Sequence, residues 1–388
     1  MIKKILIIML ILSNMLINTY AKDTSKSSVV MDINTKRVLY EKNPNEKRLI
    51  ASTTKIMTAI LTIENSNINE TIEVGEEILS MYGTNIYIEI GEKIKVKDLL
   101  YGLLLRSGND ASMVLAKYIG GTEENFVKMM NNKAKEIGMT NTIFSNPHGL
   151  DDYTKNYSTA YDMALLSAYA NQNKTYREIS GTQKYTTKTD NKSYLWYNRN
   201  KLLSTYEYCT GGKNGYTPDA GRTLVTTAKK DNLSLTIVTL NDSNEYSTHQ
   251  SLYNQMYKNY RMYKIIDKNE FKISKELYPG KIQLSNSFYY PLTKKEKQNI
   301  KTEITILEQT KETAQIGYVK IKIGEDVIGI VDIYKNIEKK EDNSIFKKIK
   351  NYLFDIRKKL KLGLQNSLNP GPFVPIPLET NNSVSITL

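Results

Sequence analysis

The sequence predicts an α+β chain of 388 residues: a sheet drawn from both ends of a helical segment, then a small all-β region, then an amphipathic helix. Three observations predict it. Strand-like runs lie near residue 30 and again between residues 211 and 240, with apolar helical runs between them. Residues 272–337 hold short alternating runs separated by turn residues. Residues 344–364 gather their apolar side chains on one helical face against a basic remainder. The length exceeds one ordinary domain, and two are expected, 27–265 and 272–337.

The elements follow in order. Lys3 and Lys4 precede an apolar run from Ile5 to Ile17, and Thr19-Tyr20-Ala21 fits a small-x-small cleavage site. Residues 1–21 therefore read as a secretory signal. Ser27–Ile33 reads as a strand, Asn34-Thr35-Lys36 as a turn and Arg37–Glu41 as the returning arm. Ile56, Met57, Ile60 and Leu61 have helical spacing, so a helix opens near Ser52. Val96–Leu105 and Ala111–Ile119 read as apolar helices with a turn at Arg106–Asp110 between them. Glu123–Ile137 and Thr159–Ala170 read as further helices, and Phe144–Leu150 as a loop. Gly211–Thr217, Arg222–Ala228 and Leu233–Leu240 read as strands, and Ser247–Tyr263 as a closing helix. In the β region, Ile304–Ile306 and Val319–Ile323 alternate, Gly324–Asp326 turns, and Val327–Ile333 returns. The last segment, 365–388, holds four of the nine prolines and is expected to be disordered.

Charge and composition narrow the chemistry. The formal net charge is +13, and cleavage after Ala21 leaves +11. Residues 344–364 contribute seven basic side chains against Asp355 alone, over half of that surplus. A helix of this kind is expected to lie on an anionic membrane surface. Export argues against nucleic acid as the anionic partner. A lone cysteine, Cys209, rules out an intramolecular disulfide. No grouping of His, Cys, Asp and Glu has metal-ligand spacing, so neither metal nor cofactor is expected.

Three short segments point to a reaction. Ser52 and Lys55 stand three residues apart, a spacing that puts them on one helical face. A serine needs a neighbouring base to become a nucleophile, and a desolvated lysine can be that base. Only His148 and His249 are available as histidines, and neither is required for this chemistry. Ser107-Gly108-Asn109 follows in a turn between helices, and Lys213-Asn214-Gly215 opens a strand. Each segment is weak alone. In this order they match the set shared by penicillin-binding proteins and β-lactamases.

The surrounding residues sharpen the match. They include Lys42-Asn43, Ala51–Thr58, Asn146-Pro147-His148-Gly149-Leu150, Ser158-Thr159-Ala160, Asn200-Lys201-Leu202-Leu203 and Ala220-Gly221-Arg222. Through these the chain resembles the serine-type D-alanyl-D-alanine carboxypeptidases, low-molecular-mass penicillin-binding proteins of peptidase family S11. The resemblance implies a β-lactamase/transpeptidase-like domain with an antiparallel sheet flanked by helices. It implies Ser52 as the acyl-ester nucleophile, Lys55 as proton acceptor and Ser107 as proton relay. Asn109, Lys213, Asn214 and Gly215 would bind substrate, with the backbone N–H groups of Ser52 and Tyr216 as the oxyanion hole. Peptidoglycan stem peptides would be the substrate, β-lactam antibiotics the inhibitors, and the outer face of the cytoplasmic membrane the location.

One residue departs from the family pattern. Asn214 stands where a threonine hydroxyl is expected to meet the substrate's terminal carboxylate. Arg222 is the candidate to compensate. A class A β-lactamase is the first alternative. It is disfavoured by Ser-Gly-Asn in place of Ser-Asp-Asn and by the lack of a Glu-x-x-Leu-Asn segment between residues 109 and 213. A non-catalytic wall-binding protein with a degenerate site is the second.

Overall fold

The computed structural model describes residues 23–275, 277–307 and 314–335. The expected signal peptide, the basic helix at 344–364 and the tail at 365–388 lie outside the described residues.

A five-stranded antiparallel sheet joins the two ends of the first region. Its strands are β1 (Ser25–Asp32), β2 (Val38–Lys42), β3 (Cys209–Thr217), β4 (Gly221–Lys230) and β5 (Leu233–Asp242), in the order β2-β1-β5-β4-β3. Side chains alternate across a strand, and here the alternation feeds two cores. Val29, Met31, Val225, Val238 and Leu240 enter the larger one, while Val30, Ala228, Leu235 and Ile237 enter the other. Both faces are covered, which is why β1 and β5 read as nearly continuous apolar and small residues.

Helices α1 (Lys55–Asn65), α2 (Val96–Tyr101), α3 (Asn109–Gly120), α4 (Glu123–Glu136), α5 (Ala160–Ala170) and α6 (Lys174–Gly181) build the larger core. Helix α7 (Glu245–Asn259) covers the other face with Leu252, Tyr253 and Met256. In α1 every residue from Lys55 to Thr62 is buried, so the helix runs through the core rather than along its surface. That placement takes the Lys55 amine out of water.

Three elements differ from the sequence expectation. The helix expected at Val96–Leu105 stays α-helical only to Tyr101. Gly102–Arg106 is a π turn, which ends in Ser107 with φ +70°. The helix expected to reach Tyr263 stops at Asn259: Tyr260 is extended, Arg261–Ile266 pairs as a strand, and the Arg261 guanidinium donates to the Tyr257 and Tyr260 carbonyls, the latter at 2.7 Å. Residues 184–188 and 193–197 form a hairpin absent from the sequence reading. Its buried Tyr194 and Trp196 alternate with exposed Leu195 and Tyr197, and Tyr185 stacks on Tyr101 at 3.6 Å between ring centres.

Beyond α7 the chain turns to strands: β6 (Arg261–Ile266), β7 (Ile282–Leu284), β8 (Phe288–Leu292), β9 (Ile300–Ile306), β10 (Gln315–Ile323) and β11 (Asp326–Lys335). Among the described residues, β6 pairs with β8, and the other four form a sheet in the order β7-β11-β10-β9. A separate core of Ile266, Leu284, Val319, Ile321, Val331 and Ile333 holds them. Arg37, on the β1–β2 hairpin, joins this region to the first. Its guanidinium lies over the Tyr260 and Tyr290 rings and donates to the Pro291 carbonyl and the Glu296 carboxylate.

Candidate active site

Ser52 lies in a short 3₁₀ turn, Ala51–Thr54, that leads into α1. Ala51 has φ +44°, a left-handed conformation that costs an L-residue of order 1 kcal/mol or more. The loop before α5 packs on this turn. A Cβ at Gly149 would fall 2.0 Å from the Ala51 carbonyl oxygen, and Gly149 itself has φ +86°. Only glycine satisfies both demands.

The Asn146–Leu150 loop is built to aim one carbonyl. Asn146 is fully buried, and its Oδ1 accepts from the backbone N–H groups of His148 and Gly149. Its Nδ2 donates to Leu150 O at 2.9 Å and Thr154 Oγ1 at 2.8 Å. The Thr58 and Ser112 hydroxyls each donate to Pro147 O at 2.6 Å. Held this way, the His148 carbonyl accepts from Lys55 Nζ. The His148 ring stays neutral, its pKa pushed down to about 3 by burial and then by the Lys55 charge.

Lys55 is fully buried, and its Nζ has two further partners, Asn109 Oδ1 at 2.7 Å and Ser52 Oγ at 3.2 Å. Burial is the main force that lowers its pKa well below that of a free lysine. Lys213 and Arg199 add to the lowering as like charges, and Asp110 opposes it. Asn109 begins α3, and its Nδ2 donates to Tyr82 O at 2.7 Å.

Ser107 faces Lys213, whose Nζ donates to Ser107 Oγ at 3.0 Å and to Asn214 O at 2.7 Å. Burial, then Arg199, pulls the Lys213 amine down to about 7. The next residue of β3 but one meets the serine turn. A Cβ at Gly215 would stand 2.7 Å from the Ser52 backbone nitrogen and 3.1 Å from Ala51 Cβ. This close approach brings the Ser52 N–H to the β3 edge next to Tyr216, a residue 63% exposed.

Of the residues singled out in the sequence, Ser52, Lys55 and Asn109 form one bonded group and Ser107 and Lys213 another. Asn214 and Arg222 sit to one side, on a groove of about 680 Å³ that Arg199, Lys201, Glu245 and Tyr246 also line. Arg222 is engaged there, 3.5 Å from Glu245 and with its guanidinium 5.8 Å from the Tyr216 ring centre. The sequence reading missed Arg199, whose charge reaches both buried lysines. It lies on the coil between the 193–197 strand and Leu202, where neither period nor motif marks it. Among the described residues no group of acidic, histidine and cysteine side chains is arranged to hold a metal ion.

The sequence model of the D-alanyl-D-alanine carboxypeptidases, peptidase family S11, matches residues 16–244, more than half of the chain. The chain belongs to this family. Among S11 relatives, DacF of Bacillus subtilis is 40% identical over 215 residues, which are 54% of this chain and 55% of DacF. The D-alanyl-D-alanine carboxypeptidase of Streptomyces sp. strain K15 is 34% identical over 218 residues, 52% of this chain and 75% of that protein. The chain spans about half the length of the first of these curated relatives. Solved S11 structures extend the likeness into the β-rich region. DacD from Francisella tularensis covers 82% of this chain and 94% of its own, with TM-score 0.64 at 26% identity. Penicillin-binding protein 5 from Haemophilus influenzae covers 81% and 97%, with TM-score 0.68 at 25% identity. The α+β, transpeptidase-like architecture expected from the sequence is thus the architecture observed.

Proposed function

We propose that this chain is an exported serine D-Ala-D-Ala carboxypeptidase, which removes the terminal D-alanine from peptidoglycan pentapeptide stems. The observation that carries the reading is a fully buried lysine amine 3.2 Å from a serine hydroxyl, its pKa lowered by burial and by a second lysine. A neutral amine in that position accepts the Ser52 proton as Oγ attacks the carbonyl carbon of the penultimate D-alanine. The negative charge on the carbonyl oxygen is met by the backbone N–H groups of Ser52 and Tyr216. Collapse of the tetrahedral species breaks the peptide bond. A proton delivered through Ser107 leaves with the D-alanine amine, and the peptide remains as an ester on Ser52. Water then hydrolyses the ester and frees the serine. Asn109 would hold the substrate backbone, and Gly215 lets the strand edge approach the Ser52 turn.

Carboxylate recognition falls to Lys213, Asn214 and the groove that Arg199 and Arg222 line. The side-chain amide of Asn214 can donate an N–H in place of a threonine hydroxyl, but it is longer and planar, so it meets the carboxylate with different geometry. Penicillins, as mimics of the peptide terminus, would acylate the same Ser52. The basic amphipathic pattern of 344–364 supports attachment to the outer face of the cytoplasmic membrane.

Fluorescent penicillin tests the central step. The wild-type chain is expected to carry one stable label per molecule and to release D-alanine from a soluble pentapeptide. Ser52→Ala is expected to lose both. Label retained in that variant would remove Ser52 from the reaction.

A further inference from the structure

Asp110 follows the Ser107-Gly108-Asn109 turn, and its carboxylate is bonded to the backbone of residues 86–88 and 111. It is 3% exposed, and no basic side chain forms an ion pair with it among the described residues. Backbone N–H groups take that place. Both oxygens accept from Ile86 N at 3.0 Å, Oδ2 accepts from Tyr87 N at 2.7 Å and more weakly from Ile88 N at 3.4 Å, and Oδ1 accepts from Ala111 N at 2.8 Å. Three successive N–H groups converging on one anion form a nest. The start of α3 adds its positive end to it.

The nest holds a segment that has no regular structure of its own. Tyr87 has φ +63°, a conformation that a tyrosine keeps only when its surroundings enforce it. The same segment is bonded back to α3 at two more points: Asn109 N donates to Thr84 O at 2.8 Å, and Asp110 N donates to Asn85 Oδ1 at 3.2 Å. It also supplies the Tyr82 carbonyl that orients the Asn109 amide, leaving Asn109 Oδ1 to face Lys55. A chain of contacts thus runs from Asp110 through residues 82–88 and Asn109 to the amine beside Ser52. The charged groups that act on that amine are Lys213 from β3, Arg199 from the 198–201 coil and Asp110 from α3, and the last is the only acid of the three.

We propose that Asp110 is a positioning residue for acylation: it pins the 82–88 segment that orients Asn109, and its negative charge offsets the cations around Lys55. The inference rests on Ser52 and Lys55 acting as read above. Removing the charge leaves Lys55 with only like-charged neighbours, and a lysine so placed loses its proton at lower pH.

The test is the pH dependence of single-turnover acylation by a fluorescent penicillin, in wild type and in Asp110→Asn. Acylation needs neutral Lys55, so the acidic limb of the profile follows Lys55. The variant is expected to acylate at least about tenfold more slowly, since the amide turns an N–H toward the nest and loosens Asn109. Its acidic limb is expected to shift about one pH unit lower. A uniform loss of rate with the limb unmoved overturns the proposal. Should the amide variant fail to fold, Asp110→Ser, which removes the charge without adding an N–H, is measured in its place. Failure of both to fold would make Asp110 a residue of the fold alone and also overturn the proposal. If wild type takes no label on Ser52, the reading of the site fails first, and the two failures are thereby told apart.

Discussion

At the scale of single residues, the site depends on where a Cβ is missing. Gly215 lets β3 run so near the serine turn that one added carbon would stand 2.7 Å from the Ser52 nitrogen and 2.6 Å from Thr223 Oγ1. No L-residue fits without moving β3 or the turn. Gly215→Ala is therefore expected to keep the fold, because the remainder of the β3–β4 ladder is unchanged, but to push the Ser52 N–H away from the strand edge. Loss of one oxyanion donor costs on the order of 10²–10³ in rate. Acylation measured by fluorescent penicillin should fall by about that factor with the thermal midpoint little changed. Wild-type rates in the variant would mean that the Ser52 N–H does not serve the developing anion.

At the scale of elements, the sheet face under α7 stores a pH dependence. His249 of α7 is fully buried between two strand hydroxyls, with Nδ1 2.7 Å from Thr226 Oγ1 on β4 and Nε2 3.1 Å from Thr239 Oγ1 on β5. Burial lowers its pKa from 6.5 to about 3. The unfolded chain therefore binds a proton between those values that the folded chain does not. Stability is complete above about pH 6.5 and is lost as the pH falls toward 3. His148 adds to the same loss, since it titrates over a similar window. His249→Gln keeps two polar contacts but cannot charge, so its thermal midpoint should fall less steeply between pH 7 and 4. A variant slope equal to that of wild type would exclude His249 as a source.

Elements also show why part of the structure was legible beforehand. Strands β1, β4 and β5 and helices α1, α3 and α5 announce themselves as runs of apolar and small residues long enough to be told apart, each bounded by polar or turn residues. Ser52, Lys55, Ser107, Asn109 and Lys213 could be singled out as candidates because short motifs in a fixed order mark them, and the structure brings them into two bonded groups. The 184–197 hairpin was invisible: its first strand is mostly Lys and Thr, and in its second the exposed Leu195 and Tyr197 mask the alternation with buried Tyr194 and Trp196. Arg199 and Asp110 were missed for a different reason. Their effects act through space, on a lysine 144 and 55 positions away in the sequence, and nothing local marks that. The left-handed turn at Ser107 hides in the same way, because serine does not signal a positive φ as glycine does.

At the scale of the whole molecule, the distribution of charge separates catalysis from location. At the proposed site the basic groups are few: buried Lys55 and Lys213, and exposed Arg199. The larger surplus lies in 344–364, where the sequence sets seven basic residues against one acid and spaces Ile345, Phe346, Ile349, Tyr352, Leu353, Ile356 and Leu360 at the helical period. Each basic residue near an anionic surface is worth about 1 kcal/mol, and burial of the apolar face in the headgroup region adds to that. Among the described residues no helix is long and apolar enough to cross a bilayer. Deleting 344–388 removes the basic face and leaves every residue of the site in place. The truncated chain, with its mature N-terminus verified by mass spectrometry, is expected to move from the membrane to the soluble fraction. Its rate of D-alanine release from a soluble peptide should stay within about twofold of wild type, as expected for a deletion far from the reacting groups. Continued sedimentation with membranes, with the signal shown to be absent, would place the attachment elsewhere on the chain.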